Sequence, residues 1–282
     1  IDKESVEYLN LSHNPVKWPR SIHAHVIDVL SESGAAVIVF DVFFDEPQSE
    51  VNDHLLAESM TQAGNVVLSA YLKKKSMNLV DHMGKSTGLA AMDTLEMPLD
   101  ILHRSAAAVA PFPLPKVPFR VNQYWPFKLE AGDMPTMPVV AFQVFALKAY
   151  DVFIGLLNEF VPGKAGTLPQ SYGELTGMKD LEKIVQAIRD IFQSEPQLAD
   201  TLRNALSQRY GDGQATEGKL ISSLIEMYQW PGSRYLNYYG PPGTFNTINY
   251  YKVLRERNRP LLGTSNLDFR GKAVFVGLSG HR

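Results

Sequence analysis

The fold is decided by one stretch, residues 34–46, which reads GAAVIVFDVFFDE. Residues 35–42 form a short run rich in β-branched side chains, as expected of a strand that is buried on both faces. Gly34 precedes this run and is a typical residue for the end of a helix. Before it, apolar residues fall close to one helical stripe: Ile22, Val26, Ile27, Val29 and Leu30. The stretch therefore predicts a helix that leads through a tight glycine connection into a buried strand.

The same helix-to-strand unit follows once more. Residues 52–63 carry apolar side chains at helical spacing, Gly64 closes the segment, and residues 65–71 read as a second buried strand. After residue 234 the pattern returns with a short helix at 250–255 and a strand at 273–277. This alternation predicts an α/β fold, with a mostly parallel sheet flanked by helices on both faces.

The middle of the chain differs from both ends. Residues 72–138 are rich in proline and predict edge strands and loops, followed by a helix over residues 139–150. Residues 151–233 carry three apolar stripes at helical spacing, separated by glycine-rich breaks. Residues 235–239 read as a further strand. We interpret residues 1–282 as a single domain and residues 151–233 as an α-helical insertion within it.

Composition excludes several classes of protein. The 282 residues are 45% hydrophobic and 20% charged, which is the balance of a folded globular domain. The net charge of −3 gives no support to nucleic-acid binding, which requires a basic face. Cysteine is absent, so disulfides, thiol nucleophiles and thiolate metal sites are excluded.

The ends of the chain suggest a larger protein. The chain starts at Ile1 rather than methionine and stops soon after the strand-like residues 273–276. No run of about 18 apolar residues is present, so no membrane span is predicted within the chain. We interpret the sequence as a piece excised from a longer protein.

The best candidate site is a group of acidic residues, Asp41, Asp45 and Glu46, at the carboxyl end of the first strand. Ligands of open α/β sheets bind outside the carboxyl ends of the strands. Acids placed there could hold a sugar hydroxyl, an amine or a metal. The alternative is structural: Asp45 caps a turn and Glu46 is solvated, while Asp41 needs a partner if it is buried.

Two further places carry candidate ligand-binding residues. Arg120 lies in an apolar and aromatic setting, where it either pairs with an acid in the core or contacts a ligand. Asn237 and Tyr238 precede Gly240-Pro241-Pro242-Gly243, a stiff turn, and either line a pocket or pack at a strand end.

Other motifs do not carry chemistry. Residues 213–219 fit the first positions of a phosphate-binding loop, but Leu220 stands where the magnesium-binding hydroxyl belongs. His23 and His25 are two residues apart, which is the wrong spacing for a metal pair on a helix, so surface or packing roles are expected. No nucleophile elbow or dinucleotide fingerprint occurs. We therefore predict no catalytic residue, no metal and no cofactor.

Four segments together resemble one family. They are residues 25–44, residues 63–68, the string Asn237-Tyr238 with Gly240 to Phe245, and residues 267–277. In this order they resemble the type-two CHASE domain, the cyclase- and histidine-kinase-associated sensory extracellular domain. The likeness covers about two thirds of the chain. The sequence departs from the family in lacking an Asp-Gly before Arg120 and in the length of its helical stretch, residues 151–233.

The resemblance implies a sensory domain on the periplasmic or extracellular side of the bacterial inner membrane. Membrane helices would flank it and connect it to a cytoplasmic cyclase, histidine kinase or protein kinase. An unknown small molecule or protein would provide the signal, and a homodimer is expected by analogy with receptors of this class. The domain itself would not be an enzyme.

Two other functions are open at this point. The first is a periplasmic hydrolase or carbohydrate-processing enzyme that uses Asp41, Asp45 and Glu46, since neighbouring carboxyl groups can act as acid and base. The second is an interaction module, in which the apolar stripes of residues 151–233 leave an exposed patch for a partner protein. That second function requires that the stripes are not buried internally.

Overall fold

A computed structural model describes residues 1–80, 86–115, 121–177, 180–211, 216–237, 240–241, 243–256 and 267–278. The helices are α1 Lys3–Leu9, α2 Arg20–Glu32, α3 Glu50–Ala63, α4 Asp100–Ser105, α5 Met137–Phe145, α6 Tyr150–Phe160, α7 Pro162–Ala165, α8 Tyr172–Gly177, α9 Leu181–Ser194, α10 Leu198–Tyr210, α11 Thr216–Tyr228 and α12 Tyr250–Glu256. The strands are β1 Val37–Phe40, β2 Val66–Val80, β3 Ser86–Glu96, β4 Ala108–Pro111, β5 Gln123–Tyr124, β6 Phe127–Lys128, β7 Met134–Pro135, β8 Arg234–Tyr235 and β9 Ala273–Val276.

The main sheet is built around β1. This strand pairs in parallel with β2 on one side, where Ile38 faces Val66, and with β9 on the other, where Val37 faces Ala273. The first part of β2 also pairs in parallel with β4. Beyond Ala70, β2 continues as a hairpin arm with antiparallel β3. The predicted α/β class, a mostly parallel sheet flanked by helices, is confirmed.

Side chains of β1 alternate between two helical layers, because successive residues of a strand point to opposite faces. Ile38 and Phe40 join a core with α2, α3, α4 and α12, whereas Val37 and Val39 join a core with the helices from α5 to α11. All four strand residues are fully buried. Complete burial of such side chains contributes about 1.5–3 kcal/mol each, which explains why this short strand anchors the fold.

The three apolar stripes of the helical stretch pack internally. Residues of α9, α10 and α11 at stripe positions are buried against one another and against α5 and α6. The exposed apolar patch required for an interaction module is therefore not formed by these stripes, and that hypothesis was wrong. The extent of an insertion at residues 151–233, and the single-domain boundaries, stay predictions.

Three local expectations also differ from the structure. The second strand does not end at residue 71 but extends to Val80. Its lysine-rich second half extends beyond the helical layers and carries no apolar pattern, so the sequence did not reveal it. The helix expected over residues 139–150 spans Met137–Phe145 and is separated from α6 by a short 3-10 turn. The strand expected over 235–239 is confined to Arg234–Tyr235 in the described residues, where it pairs only with β5.

Within the described ranges, no single helix is long and apolar enough to cross a membrane. The pair Met137–Phe145 and Leu147–Phe160 meets the requirement together in length and composition, with a bend of 57° between the two helices.

Candidate functional site

The carboxyl edge of the parallel sheet holds the acidic residues singled out from the sequence. Asp41 directly follows β1 and is exposed, and its amide still donates a hydrogen bond of 2.8 Å to the Val276 carbonyl at the end of β9. A Cβ at Gly277 would lie 3.4 Å from the Asp41 Cβ, so the two chain segments run close together. Although much of the Asp41 side chain is exposed, partial desolvation of its carboxyl group raises its pKa.

Asp45 and Glu46 lie on the loop after β1, and both are exposed. The loop is held from beneath by Arg20, which donates from Nη2 to the Glu46 carbonyl at 3.1 Å and from Nη1 to the Val16 carbonyl at 3.0 Å. Glu46 therefore serves the fold through its backbone, while its carboxylate points to solvent. The structure places Asp45 and Glu46 together on one loop, with Asp41 at the start of that loop.

Arg20 is a buried cation at the start of α2. Its Nε lies 3.6 Å from the Asp53 Oδ1 of α3, and its guanidinium carbon lies 4.4 Å from the centre of the Phe44 ring. Burial lowers the pKa of Arg20, and the charges of Asp53 and Asp45 oppose that shift. Asp53 Oδ2 in turn accepts the Gln48 amide at 3.0 Å and so ties the end of the loop to α3, whereas Asp53 Oδ1 and Arg20 Nε have no hydrogen-bond partner among the described residues.

His23 lies next to this ion pair and is fully buried. Its Nδ1 is 2.7 Å from the Tyr250 hydroxyl, and its Nε2 is 3.2 Å from the Pro15 carbonyl. A carbonyl only accepts, so Nε2 carries the proton and Nδ1 accepts from Tyr250. Burial lowers the pKa of His23 to about 4, so the imidazole is neutral at pH 7. The packing role expected for histidine is the one found here.

Of the remaining predicted ligand-binding residues, Asn237 alone lies within the described ranges. Asn237 is exposed, just after Leu236, whose amide donates to the Asn122 carbonyl at 2.8 Å. Arg120 and Tyr238 lie outside the described residues. Ligand binding by Asp41, Asp45, Glu46, Arg120, Asn237 and Tyr238 therefore stays a prediction.

A cleft of about 940 Å³ lies at the opposite edge of the sheet. Its floor is formed by residues that come directly before the parallel strands β1, β2 and β4, namely Ala36, Asn65 and Ala107. Its walls come from the end of α5 and from α6, α8 and α9. The volume lies in the range of small-molecule sites, and the position between two layers is a usual one for such sites.

Several polar groups border the cleft. Asn65 donates from Nδ2 to the Ala35 carbonyl at 2.8 Å, but its Oδ1 is buried without a hydrogen-bond partner among the described residues. Asp151 accepts the Tyr172 amide at 2.5 Å. Arg104 pairs with Asp100 beside the cleft, whereas Lys148 is exposed and forms no ion pair within the described part of the chain.

The cleft has the size and the lining of a small-molecule binding site. The cleft combines mostly apolar walls with the Asp151 carboxylate and two cations; Arg104 is already paired with Asp100, so Lys148 is the cation available to an acidic group of a small molecule. The sequence analysis missed this site and also missed Arg20, Asp53 and Tyr250. The one signal in the sequence was Gly64-Asn65, which indicates a tight turn between α3 and β2. The structure has this turn, with Gly64 at a positive φ of 66°.

Comparison with known proteins gives one match. Searches of curated proteins and of solved structures find nothing similar. Among protein families, the model described as the CHASE2 domain matches residues 1–281, which is nearly the whole chain.

Proposed function

Since the chain belongs to the CHASE2 domain family, a family of sensory extracellular domains, we propose that it is the signal-input domain of a bacterial transmembrane receptor. It would lie on the periplasmic or extracellular face of the inner membrane and regulate a cytoplasmic cyclase or kinase. It would have no catalytic activity of its own. The match over residues 1–281 is the observation that carries this proposal.

The two ends of the described chain support such an arrangement. The Ile1 nitrogen lies 2.5 Å from the Gly277 carbonyl oxygen, so both ends lie at the carboxyl edge of the sheet. Membrane helices attached to them would leave side by side from this edge. The cleft at the amino edge would then face away from the membrane, where a dissolved ligand can reach it.

The cleft is the proposed site for the signal. It lies where loops of the sheet meet α6 and α8, so a molecule bound there contacts both layers. Binding can shift a receptor between two arrangements only through a difference in affinity for them. A ligand that holds the sheet and the helical layer together would favour one arrangement and pass that preference through β1 and β9 to the chain ends. Receptors of this class work as pairs, and a homodimer is proposed by that analogy.

The receptor assignment is tested by extending the sequence beyond both ends. We expect one apolar span of about 20 residues upstream, and at least one downstream that is followed by a signalling enzyme domain. A cleavable signal peptide upstream together with a stop codon close after Arg282 would contradict the assignment. Catalysis by Asp41, Asp45 and Glu46 would then be the first alternative to examine.

The ligand site is tested by thermal unfolding with a panel of small organic acids. A compound that binds only the folded chain raises its melting temperature. We expect compounds that stabilise the native chain to act less on Lys148→Gln and equally on Glu46→Gln, the matched charge removal at the other edge. If the compounds raised the melting temperature of Lys148→Gln fully but no longer raised that of Asp41→Asn, the ligand site would lie at the carboxyl edge instead.

A further inference from the structure

A cluster of potential metal ligands lies beside the edge strand β4, at the border of the cleft. His103 comes from α4, Asp180 precedes α9, and Glu182 stands in the first turn of α9. One ligand atom from each of the three side chains lies within 4.8 Å of the other two. The helices belong to different layers of the fold, since α4 packs with α3 on one side and α9 packs with α5 on the other. The cluster therefore spans the edge of the sheet.

The three side chains do not satisfy one another through hydrogen bonds in the described part of the chain, so they have oxygen and nitrogen atoms available to bind a metal. His103 Nε2 lies 3.8 Å from Asp180 Oδ1, beyond hydrogen-bond distance. Asp180 Oδ2 is 2.6 Å from Lys183 Nζ, which leaves Oδ1 turned toward His103. Glu182 Oε2 is buried and has no hydrogen-bond partner among the described residues. A buried carboxylate oxygen in this condition is costly unless a cation or a donor reaches it.

A small void fills the space between these groups. Its volume is about 30 Å³, and it is lined by His103, Asp180 and Glu182 together with Arg104, Ala106, Ala108 and Val109. That is enough space for a single ion or water molecule. The void shares Arg104 and Ala106 with the large cleft, so an ion there would lie at the cleft's border.

We propose that His103, Asp180 and Glu182 bind one divalent transition-metal ion, with zinc as the best match. One imidazole nitrogen and two carboxylate oxygens are ligands that zinc accepts, at about 2.0–2.2 Å each. Ligand atoms of a tetrahedral site are then about 3.4 Å apart, so small side-chain rotations close the present spacing. A water molecule would complete the coordination, because all three residues remain partly exposed. The site does not depend on the receptor function proposed above.

The expected consequence is a link between two layers. A metal that joins α4 to the start of α9 would connect the helical stretch to the opposite layer around β4. It would also neutralise the two carboxylates that approach each other there. We therefore expect zinc to bind once per chain and to raise the melting temperature of the native protein.

The test is zinc titration of the tag-free, chelator-treated chain by calorimetry, with cobalt absorption in the visible range as a report on the ligands. We expect one zinc per chain, and at least about tenfold weaker binding in His103→Gln and in Glu182→Gln. His54→Gln is the matched control, because His54 is exposed on α3, where its Nδ1 lies 2.8 Å from the Glu50 carbonyl oxygen. The affinity of this control for zinc should equal that of the native chain.

Two results of the titration would overturn the proposal. One is the absence of stoichiometric zinc binding to a native chain that is shown to be folded by circular dichroism. The other is equal zinc affinity in His103→Gln, Glu182→Gln and His54→Gln, which would place the metal elsewhere. Cobalt spectra that do not change in His103→Gln would overturn it as well, since they report directly on an imidazole ligand.

Discussion

The two edges of one sheet use their polar residues in opposite ways. At the carboxyl edge, Arg20, Asp53, His23 and Tyr250 lie against one another within the fold and hold the loop after β1, although Arg20 Nε and Asp53 Oδ1 meet only as an ion pair at 3.6 Å without a hydrogen bond. At the amino edge, polar atoms such as Asn65 Oδ1 lack partners among the described residues and border a cleft. Polar residues that face one another in the core serve stability, whereas polar residues beside open space are available for a ligand. The contrast separates a structural edge from a binding edge.

The largest expected effect is at the buried ion pair. Arg20→Met removes the guanidinium and leaves Asp53 as an unpaired buried charge, which should lower the free energy of unfolding by about 3–5 kcal/mol. Arg104→Met at the amino edge breaks only an exposed pair with Asp100 and should cost less than about 0.5 kcal/mol. Urea unfolding of both variants measures the difference. Equal losses would remove the distinction between the edges.

The next effect is a dependence on pH at His23. The pKa of this residue is about 4 in the folded chain, lowered by burial, against 6.5 ordinarily. Below pH 6.5 the unfolded chain therefore binds a proton that the folded chain does not, so stability falls as the pH drops toward 4. The loss amounts to about 3 kcal/mol. Unfolding free energies between pH 7 and pH 4 should decline less in His23→Gln than in the native chain.

Acidic side chains also titrate between pH 7 and pH 4. The comparison of His23→Gln with the native chain therefore needs a control variant that lacks a different histidine and keeps all carboxylates. His54→Gln removes an exposed histidine and retains every carboxylate. Its stability should follow the native pH profile. If His23→Gln and His54→Gln gave the same profile, His23 would not be the group that makes the carboxyl edge sensitive to acid.

A smaller loss is expected from Tyr250→Phe. The change removes the hydroxyl that donates to His23 Nδ1 and leaves that buried nitrogen without its partner. Such an unsatisfied acceptor costs about 1–3 kcal/mol. Thermal unfolding at pH 7 measures it, and Tyr251→Phe is the neighbouring control, since its hydroxyl bonds to Glu4 nearer the surface. A larger loss in the control would place the important contact outside the core.

The smallest effect is expected at the acidic loop itself. Glu46→Gln keeps the backbone carbonyl that accepts from Arg20 and changes only an exposed carboxylate. The free energy of unfolding should change by less than about 0.5 kcal/mol. A loss clearly beyond that bound in urea unfolding would show that the carboxylate takes part in holding the loop.

Much of the fold could be predicted from local pattern. The helix at residues 20–32 and the strand at 37–40 followed from apolar spacing and from Gly34, because both periodicities are expressed within a few residues. The hairpin arm of β2 and β3 escaped notice, since residues 71–76 are mostly exposed and no buried face imposes an alternation. The position of the cleft was not predicted either, because ligands of open α/β sheets usually bind outside the carboxyl ends of the strands, whereas this cleft lies at the amino ends.

The sequence by itself determined the α/β layering, the family, and the residues that build the strand at the centre. Neighbouring residues carry that information, so it is readable before the chain folds. Only the tertiary structure decided which polar groups meet: Arg20 with Asp53, His23 with Tyr250, and His103 with Asp180 and Glu182. These encounters depend on how remote helices pack around the sheet, and packing is set by the whole core rather than by any single stretch.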